Sequence, residues 1–184
     1  HEFKTPLTRI ASNLQVGKVK EAENEVLELG GNVDSLLSLA IWDNRKENTN
    51  LVPILRHLTK LVPSNLVLTI ELPKKMMTPL PSAHLQIMMR NLMDNAIKHN
   101  KRNGRIKVSG KVASGKWNIE ISNTIKYQAD KNKVTERKYT AGPGAGHGIG
   151  MSIVSDMCRM HDLTLEYLNQ DGMAIVTITG MIAN

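Results

Sequence analysis

The sequence predicts an α+β chain in two parts, a helical hairpin followed by a mixed α/β domain. Three observations point there. Apolar residues recur in heptads over residues 1–46. Beyond residue 50 the pattern changes to alternating strands set among amphipathic helices. Between the two lies the polar stretch "WDNRKENTN". The expected domains are therefore 1–46 and 50–184.

In the first part, Phe3, Leu7, Ile10 and Leu14 follow one another at 4-3-4 spacing. After a break near "QVGKV", Ala22, Val26, Leu29, Val33, Leu36 and Ala40 continue the rhythm. Such a seam wants a partner helix, and a single hairpin buries too little to stand alone. Two copies would complete a four-helix bundle, so a homodimer is expected. Gly30 and Gly31 conflict with a helix there, at a cost of about 1 kcal/mol each relative to alanine.

In the second part, "LVPILRHLTKLV" reads as a short helix and "NLVLTIEL" as a strand. Residues 82–99 form a strong helix, and "GRIKVSGKVASGKWNIEIS" is a hairpin turning at "ASGK". A polar, lysine- and glycine-rich loop over 124–145 reads as a functional lid or a disordered segment. A helix over about 149–160 follows, then the strands "LTLEYL" and "AIVTITG" around "NQDG".

Composition narrows the function classes. The chain has 184 residues, 41% hydrophobic and 22% charged, which is the balance of a globular protein. Its one cysteine, Cys158, excludes an internal disulfide and suits a reducing compartment. No run of 18 apolar residues and no signal peptide is present. A chain that begins on His1 reads as a piece of a longer one. Net charge is +7, with basic clusters "KHNKRNGRIK" and "KNKVTERK". These lack interleaved aromatics or a nucleic-acid motif, so nucleic acid is not the expected partner; polyphosphate or an acidic protein surface fits better.

Two stretches carry chemistry. In "RNLMDNAIKHN", Leu85, Met88, Met89, Leu92 and Ala96 make a buried face, while Asn91, Asn95 and Lys98 fall on another at i, i+4 and i+7. Asparagine is a poor helix former, so two of them one turn apart in mid-helix point to a task. An amide oxygen suits Mg²⁺, and a lysine one turn on suits phosphate. In "GPGAGHGIGMSIV", Gly146, Gly148 and Gly150 alternate ahead of a helix, allowing close approach of a phosphate to free N–H groups. It is neither a dinucleotide fingerprint nor a P-loop, since no ribose-binding acid and no Gly-Lys-Ser/Thr follows.

With "HEFKTPLTRI" at the start, "NLMDNAIKH" and "GHGIGMSIV", the chain resembles the cytoplasmic core of a sensor histidine kinase of bacterial two-component systems. The three stretches resemble its phosphoacceptor, asparagine and second glycine boxes, in order and in approximate spacing. The resemblance implies a dimerisation and phosphotransfer hairpin followed by a Bergerat-type α/β sandwich that binds ATP and Mg²⁺. It implies a homodimer, a response regulator receiver domain as partner, and the cytoplasmic part of a bacterial inner-membrane protein.

By that resemblance His1 is the nucleophile that takes the γ-phosphoryl group of ATP, Glu2 orients and activates it, and Thr5 holds a water for phosphatase chemistry. Pro6 would kink the helix beyond the reactive turn. Asn95 would coordinate Mg²⁺ with Asn91 supporting it. Lys98 would reach phosphate, and His99 stands where relatives carry an aromatic residue. Gly146, His147, Gly148, Ile149 and Gly150 would offer backbone to the phosphates, and Arg137 and Lys138 of the lid would meet the γ-phosphate. The family's Asp-x-Gly-x-Gly box is replaced: "WNIEIS" runs on into "NTIKYQ", and Asn123 takes the aspartate's place on the face of Ile119 and Ile121. That substitution keeps a second reading open, an ATP-compromised dimeric phosphatase or docking scaffold. The ATPases that share the sandwich use a glutamate one turn before the Mg²⁺-binding asparagine. Here that position is Asn91, which cannot act as general base.

Overall fold

The structure is a computed structural model that describes residues 4–26, 29, 47–136, 139 and 149–183. Two compact units divide the chain, His1–Trp42 and Asp43–Asn184.

In the first unit, helix α1 (Lys4–Gln15) ends in a turn at Gly17, and α2 follows over residues 19–26. Arg9 pairs with Glu25 at 2.5 Å and so ties the two helices together. Pro6, Ala22 and Glu25 are buried, whereas Leu7, Leu14 and Val26 of the expected seam are each more than half exposed. One neighbouring helix covers only part of an apolar stripe, which leaves those three side chains uncovered in the single chain. Gly30, Gly31, Val33, Leu36 and Ala40 lie outside the described residues, as does Phe3.

In the second unit, β1 (Thr49–Asn50) leads into α3 (Leu51–Thr59). The Asn50 Oδ1 accepts from Val52 N at 3.3 Å and from Met76 N at 3.1 Å. One side chain thus caps α3 and anchors it to a distant segment. Then come β2 (Val67–Glu71), β3 (Met77–Thr78), α4 (Ser82–Lys98), β4 (Arg105–Ala113) and β5 (Lys116–Thr124). Helix α5 (Gly150–Met160) and strands β6 (Thr164–Gln170) and β7 (Met173–Met181) complete the unit.

The five-stranded sheet has the order β2-β4-β5-β7-β6, with β2 and β4 parallel and the other pairs antiparallel. Both hairpins turn on two residues with positive φ, Ser114-Gly115 at 51° and 75° and Asp171-Gly172 at 51° and 73°. That is the turn whose twist matches the strands, and glycine is what the second position asks for. A second, two-stranded sheet joins β1 to β3. The sequence does not signal it, because strands of two residues carry no periodicity.

Alternation puts Ile106, Val108, Trp117, Ile119, Ile121 and Ile178 on one sheet face, all fully or almost fully buried. Helix α4 packs on β5 and on α3 and α5, so the core lies between this face and the helix layer. The expected buried face of α4 is present: Leu85, Met88, Met89, Leu92 and Ala96 are buried, and His84 and Met93 join them. Each large apolar side chain contributes about 1.5–3 kcal/mol on burial. That outweighs the propensity cost of two asparagines, at most about 0.7 kcal/mol each. The fold is α+β, as expected. Among the described residues no helix is long and apolar enough to cross a membrane.

Candidate functional site

Asn91 and Asn95 lie one turn apart on the half-buried flank of α4. The Asn91 Nδ2 donates to the Ile87 carbonyl at 2.9 Å, back along its own helix. This commits the amide nitrogen and turns the oxygen outward. Both carboxamide oxygens then converge on the first turn of α5. A Cβ built on Gly150 would stand 2.9 Å from Asn91 Oδ1 and 3.6 Å from Asn95 Oδ1. Only glycine leaves that cradle open.

The two helices are held antiparallel. Their far ends meet where His84 Nδ1 and His161 Nε2 share a hydrogen bond of 2.8 Å, with ring centroids 5.0 Å apart. Burial, then the neighbouring His84, holds the His161 imidazole below the usual histidine value, with Asp162 partly opposing. No sequence pattern signals this pair, since its members are 77 residues apart.

At its start α5 has Ile149 as N-cap, with no side-chain cap bond. The Ile149 carbonyl accepts from Ile153 N at 3.0 Å and from Ser152 Oγ at 2.7 Å. The N–H groups of the first turn are the orphan donors of any helix start, and such a terminus favours anions.

Past Asn95, Lys98 is exposed in the last turn of α4, and His99 caps it with its N–H directed to the Asn95 carbonyl at 3.0 Å. Burial, then the adjacent Lys98, lowers the His99 pKa.

At the end of β5, Asn123 is buried in register with Ile106 and Ala174, on the face of Ile119 and Ile121. Its Nδ2 donates to the Thr124 carbonyl at 3.0 Å. Beyond it the backbone stays in the sheet. Ile125 bridges to Asn100, and its N–H donates to the Gly172 carbonyl at 3.0 Å.

The described base of the lid is pinned to β6, because Asn169 Nδ2 donates to the Ala129 carbonyl at 2.5 Å and Tyr167 OH donates to Asn169 Oδ1 at 2.8 Å. These contacts also escaped the sequence, where Tyr167 and Asn169 are merely alternate residues of a strand.

Of the expected site residues, Asn91, Asn95 and Gly150 are thus brought together, with Ile149 adjoining. Thr5 is exposed on α1. His1, Glu2, Arg137, Lys138, Gly146, His147 and Gly148 lie outside the described residues. Cys158 is buried, its thiol pushed up to about 12 by that burial, and so is no nucleophile. Among the described residues no cluster of three or more His, Cys, Asp or Glu side chains is placed to hold a metal. The donors on offer are neutral amide oxygens beside a helix start. They fit a hard divalent cation that arrives with phosphate and takes the rest of its coordination from phosphate and water.

A helix-backed mixed sheet with amide oxygens facing a glycine-led helix start is the frame of an ATPase domain. Residues 81–180 match the family described as Histidine kinase-, DNA gyrase B-, and HSP90-like ATPase, and the chain belongs to that family. Within it the likeness is to the catalytic core of sensor histidine kinases. The Sensor-type histidine kinase PrrB of Mycobacterium leprae (strain TN) is 25% identical over 187 residues, covering 88% of this chain and 41% of the relative. The chain thus spans about two fifths of that relative's length. Among solved structures, the histidine kinase AdeS of Acinetobacter baumannii superposes with a TM-score of 0.76 at 22% identity, covering 100% of this chain and 98% of that one. Histidine kinase ThkA, solved in complex with response regulator protein TrrA, gives 0.73 at 18% identity, covering 100% and 59%. At these identities the structural likeness speaks for the fold.

Proposed function

We propose that the chain is a histidine kinase core that transfers the γ-phosphoryl group of Mg-ATP to His1 and then to an aspartate of a response regulator. The observation that carries this reading is the convergence of Asn91 and Asn95 on Gly150. It sets hard oxygen donors against the helix start where a triphosphate would lie.

His1 supplies the lone pair that forms the N–P bond as the bond from Pγ to the ADP oxygen breaks, and Glu2 holds the proton on the other ring nitrogen. Asn95 holds the Mg²⁺ and Asn91 supports it; the cation, when bound, neutralises developing phosphate charge. Lys98, Arg137 and Lys138 meet the phosphates, with backbone from Gly146, His147, Gly148, Ile149 and Gly150. His99 adjoins them. Asn123 accepts from the adenine amino group. Thr5 positions water for dephosphorylation of the partner's aspartyl phosphate. The exposed Leu7, Leu14 and Val26 support a homodimer through the hairpin. The membrane association of sensor kinases would reach this chain through segments outside it.

A second reading, a dimeric phosphatase or scaffold with weakened ATP use, draws on the uncharged Asn123 and on the paired backbone after it. Incubation with γ-labelled ATP and Mg²⁺ separates the two. Label on His1, absent in His1→Gln although that variant still binds a non-hydrolysable analogue, supports the kinase. An unlabelled wild-type chain removes it.

A further inference from the structure

Asn100 stands two residues beyond the end of α4, and Thr124 closes β5 immediately after Asn123. The Thr124 hydroxyl donates to Asn100 Oδ1 at 2.5 Å and accepts from Arg105 N at 2.9 Å. The Asn100 Nδ2 donates to the Ala96 carbonyl at 3.2 Å and to the Arg105 carbonyl at 3.1 Å. Every proton that these two side chains can donate is therefore used. Gly104 closes over the pair. A Cβ there would lie within 2.0 Å of Asn100 Oδ1 and 2.1 Å of Thr124 Oγ1, a clash that no small shift relieves.

The consequence is geometric. The last turn of α4 is bonded through Asn100 to the last residue of β5, and both to the start of β4. Asn95 lies five residues before Asn100 in sequence, and Asn123 is the neighbour of Thr124. One clasp therefore fixes the spacing between the group assigned to the phosphate end of the nucleotide and the group assigned to its base. We infer that Asn100 and Thr124 are positioning residues of the nucleotide site, setting the distance between Asn95 and Asn123 while touching no nucleotide themselves. This rests on the roles proposed above for Asn95 and Asn123.

Three variants of the chain test it, with affinity for a non-hydrolysable ATP analogue in Mg²⁺ read by calorimetry well below the melting midpoint. Thr124→Val keeps the β-branched shape and removes the hydroxyl. The expected result is analogue binding weaker by about five- to tenfold. Thr124→Ser, which restores the hydroxyl, is expected to return within about twofold of wild type. Gly104→Ala pries the clasp from outside and is expected to weaken binding in the same direction. If Thr124→Val does not fold, Asn100→Ala, with Thr124 intact, carries the same readout. Thr124→Val that melts earlier but binds like wild type would show a purely structural role and overturn the inference, as would a serine variant that fails to recover. Asn95→Ala keeps the two levels apart: if it binds the Mg²⁺ complex like wild type, the reading of the site fails instead.

Discussion

Asn91 Oδ1 faces Gly150 so closely that a methyl carbon on the glycine would come to 2.9 Å from it. The amide nitrogen of Asn91 is held by Ile87, so the side chain cannot swing aside without giving up that bond. Gly150→Ala should therefore displace Asn91 and intrude on Asn95. Nucleotide binding should fall by about tenfold or more, while stability changes by no more than about 1 kcal/mol, since alanine suits a helix better than glycine. Calorimetry and a melting curve on one preparation check this. Unchanged affinity would mean that the cradle is not where the triphosphate sits.

Asn123→Asp should tighten binding of an ATP analogue several-fold, because a charged acceptor is roughly twice as strong as a neutral one. Asn123→Ala should weaken it. Preference for ATP over GTP should persist in the native chain. To donate to a guanine carbonyl, the amide would have to flip and set its oxygen against the Thr124 carbonyl that its nitrogen now serves. Equal affinity of all three proteins for the analogue would remove Asn123 from the base site.

Thr5→Ala should slow dephosphorylation of a partner's aspartyl phosphate more than it slows phosphorylation of His1. The hydroxyl is exposed on α1, and the attack on ATP does not need it. Paired rate measurements decide, and equal losses would argue against a water-holding role.

Stability should decline as the solution is acidified. His161 and His99 both have pKa values lowered in the folded chain, chiefly by burial, with His84 and Lys98 respectively the next causes. Above the unfolded value, about 6.5, both states hold these rings neutral and the stability is fully present. As pH falls through the lowered folded values, the unfolded chain binds protons first and the difference is lost. The urea midpoint should drop between about pH 7.5 and 5.5, and His161→Gln should flatten that slope. A slope unaltered by the substitution would place the titration elsewhere.

How much of this was legible beforehand depended on the range of each signal. The buried face of α4, from Leu85 to Ala96, shows in the sequence because helical period and burial are local. Both hairpins show because Ser114-Gly115 and Asp171-Gly172 satisfy a local backbone demand. The approach of Asn91 to Gly150, the pairing of His84 with His161 and the bonding of Asn100 to Thr124 depend on partners brought together only by the tertiary fold. The heptads of the hairpin announced an apolar stripe but not its division, in which Ala22 is covered while Leu7 and Val26 stay exposed.

The strand order has a bearing on how this domain tolerates change. Thr124 and Met173 are paired neighbours at the mouth of the sheet, and the lid, α5 and β6 form an excursion between them. That excursion is held by the ladder of β6 on β7, by the packing of α5 on α4 and by the bond from Asn169 to the Ala129 carbonyl. Doubling the length of such a loop costs only about 0.6 kcal/mol in closure entropy. Lengthening the loop between residues 139 and 149 should therefore cost folding little. Length and charge there can vary while the pair of helices that sets Asn91 and Asn95 against Gly150 stays in place.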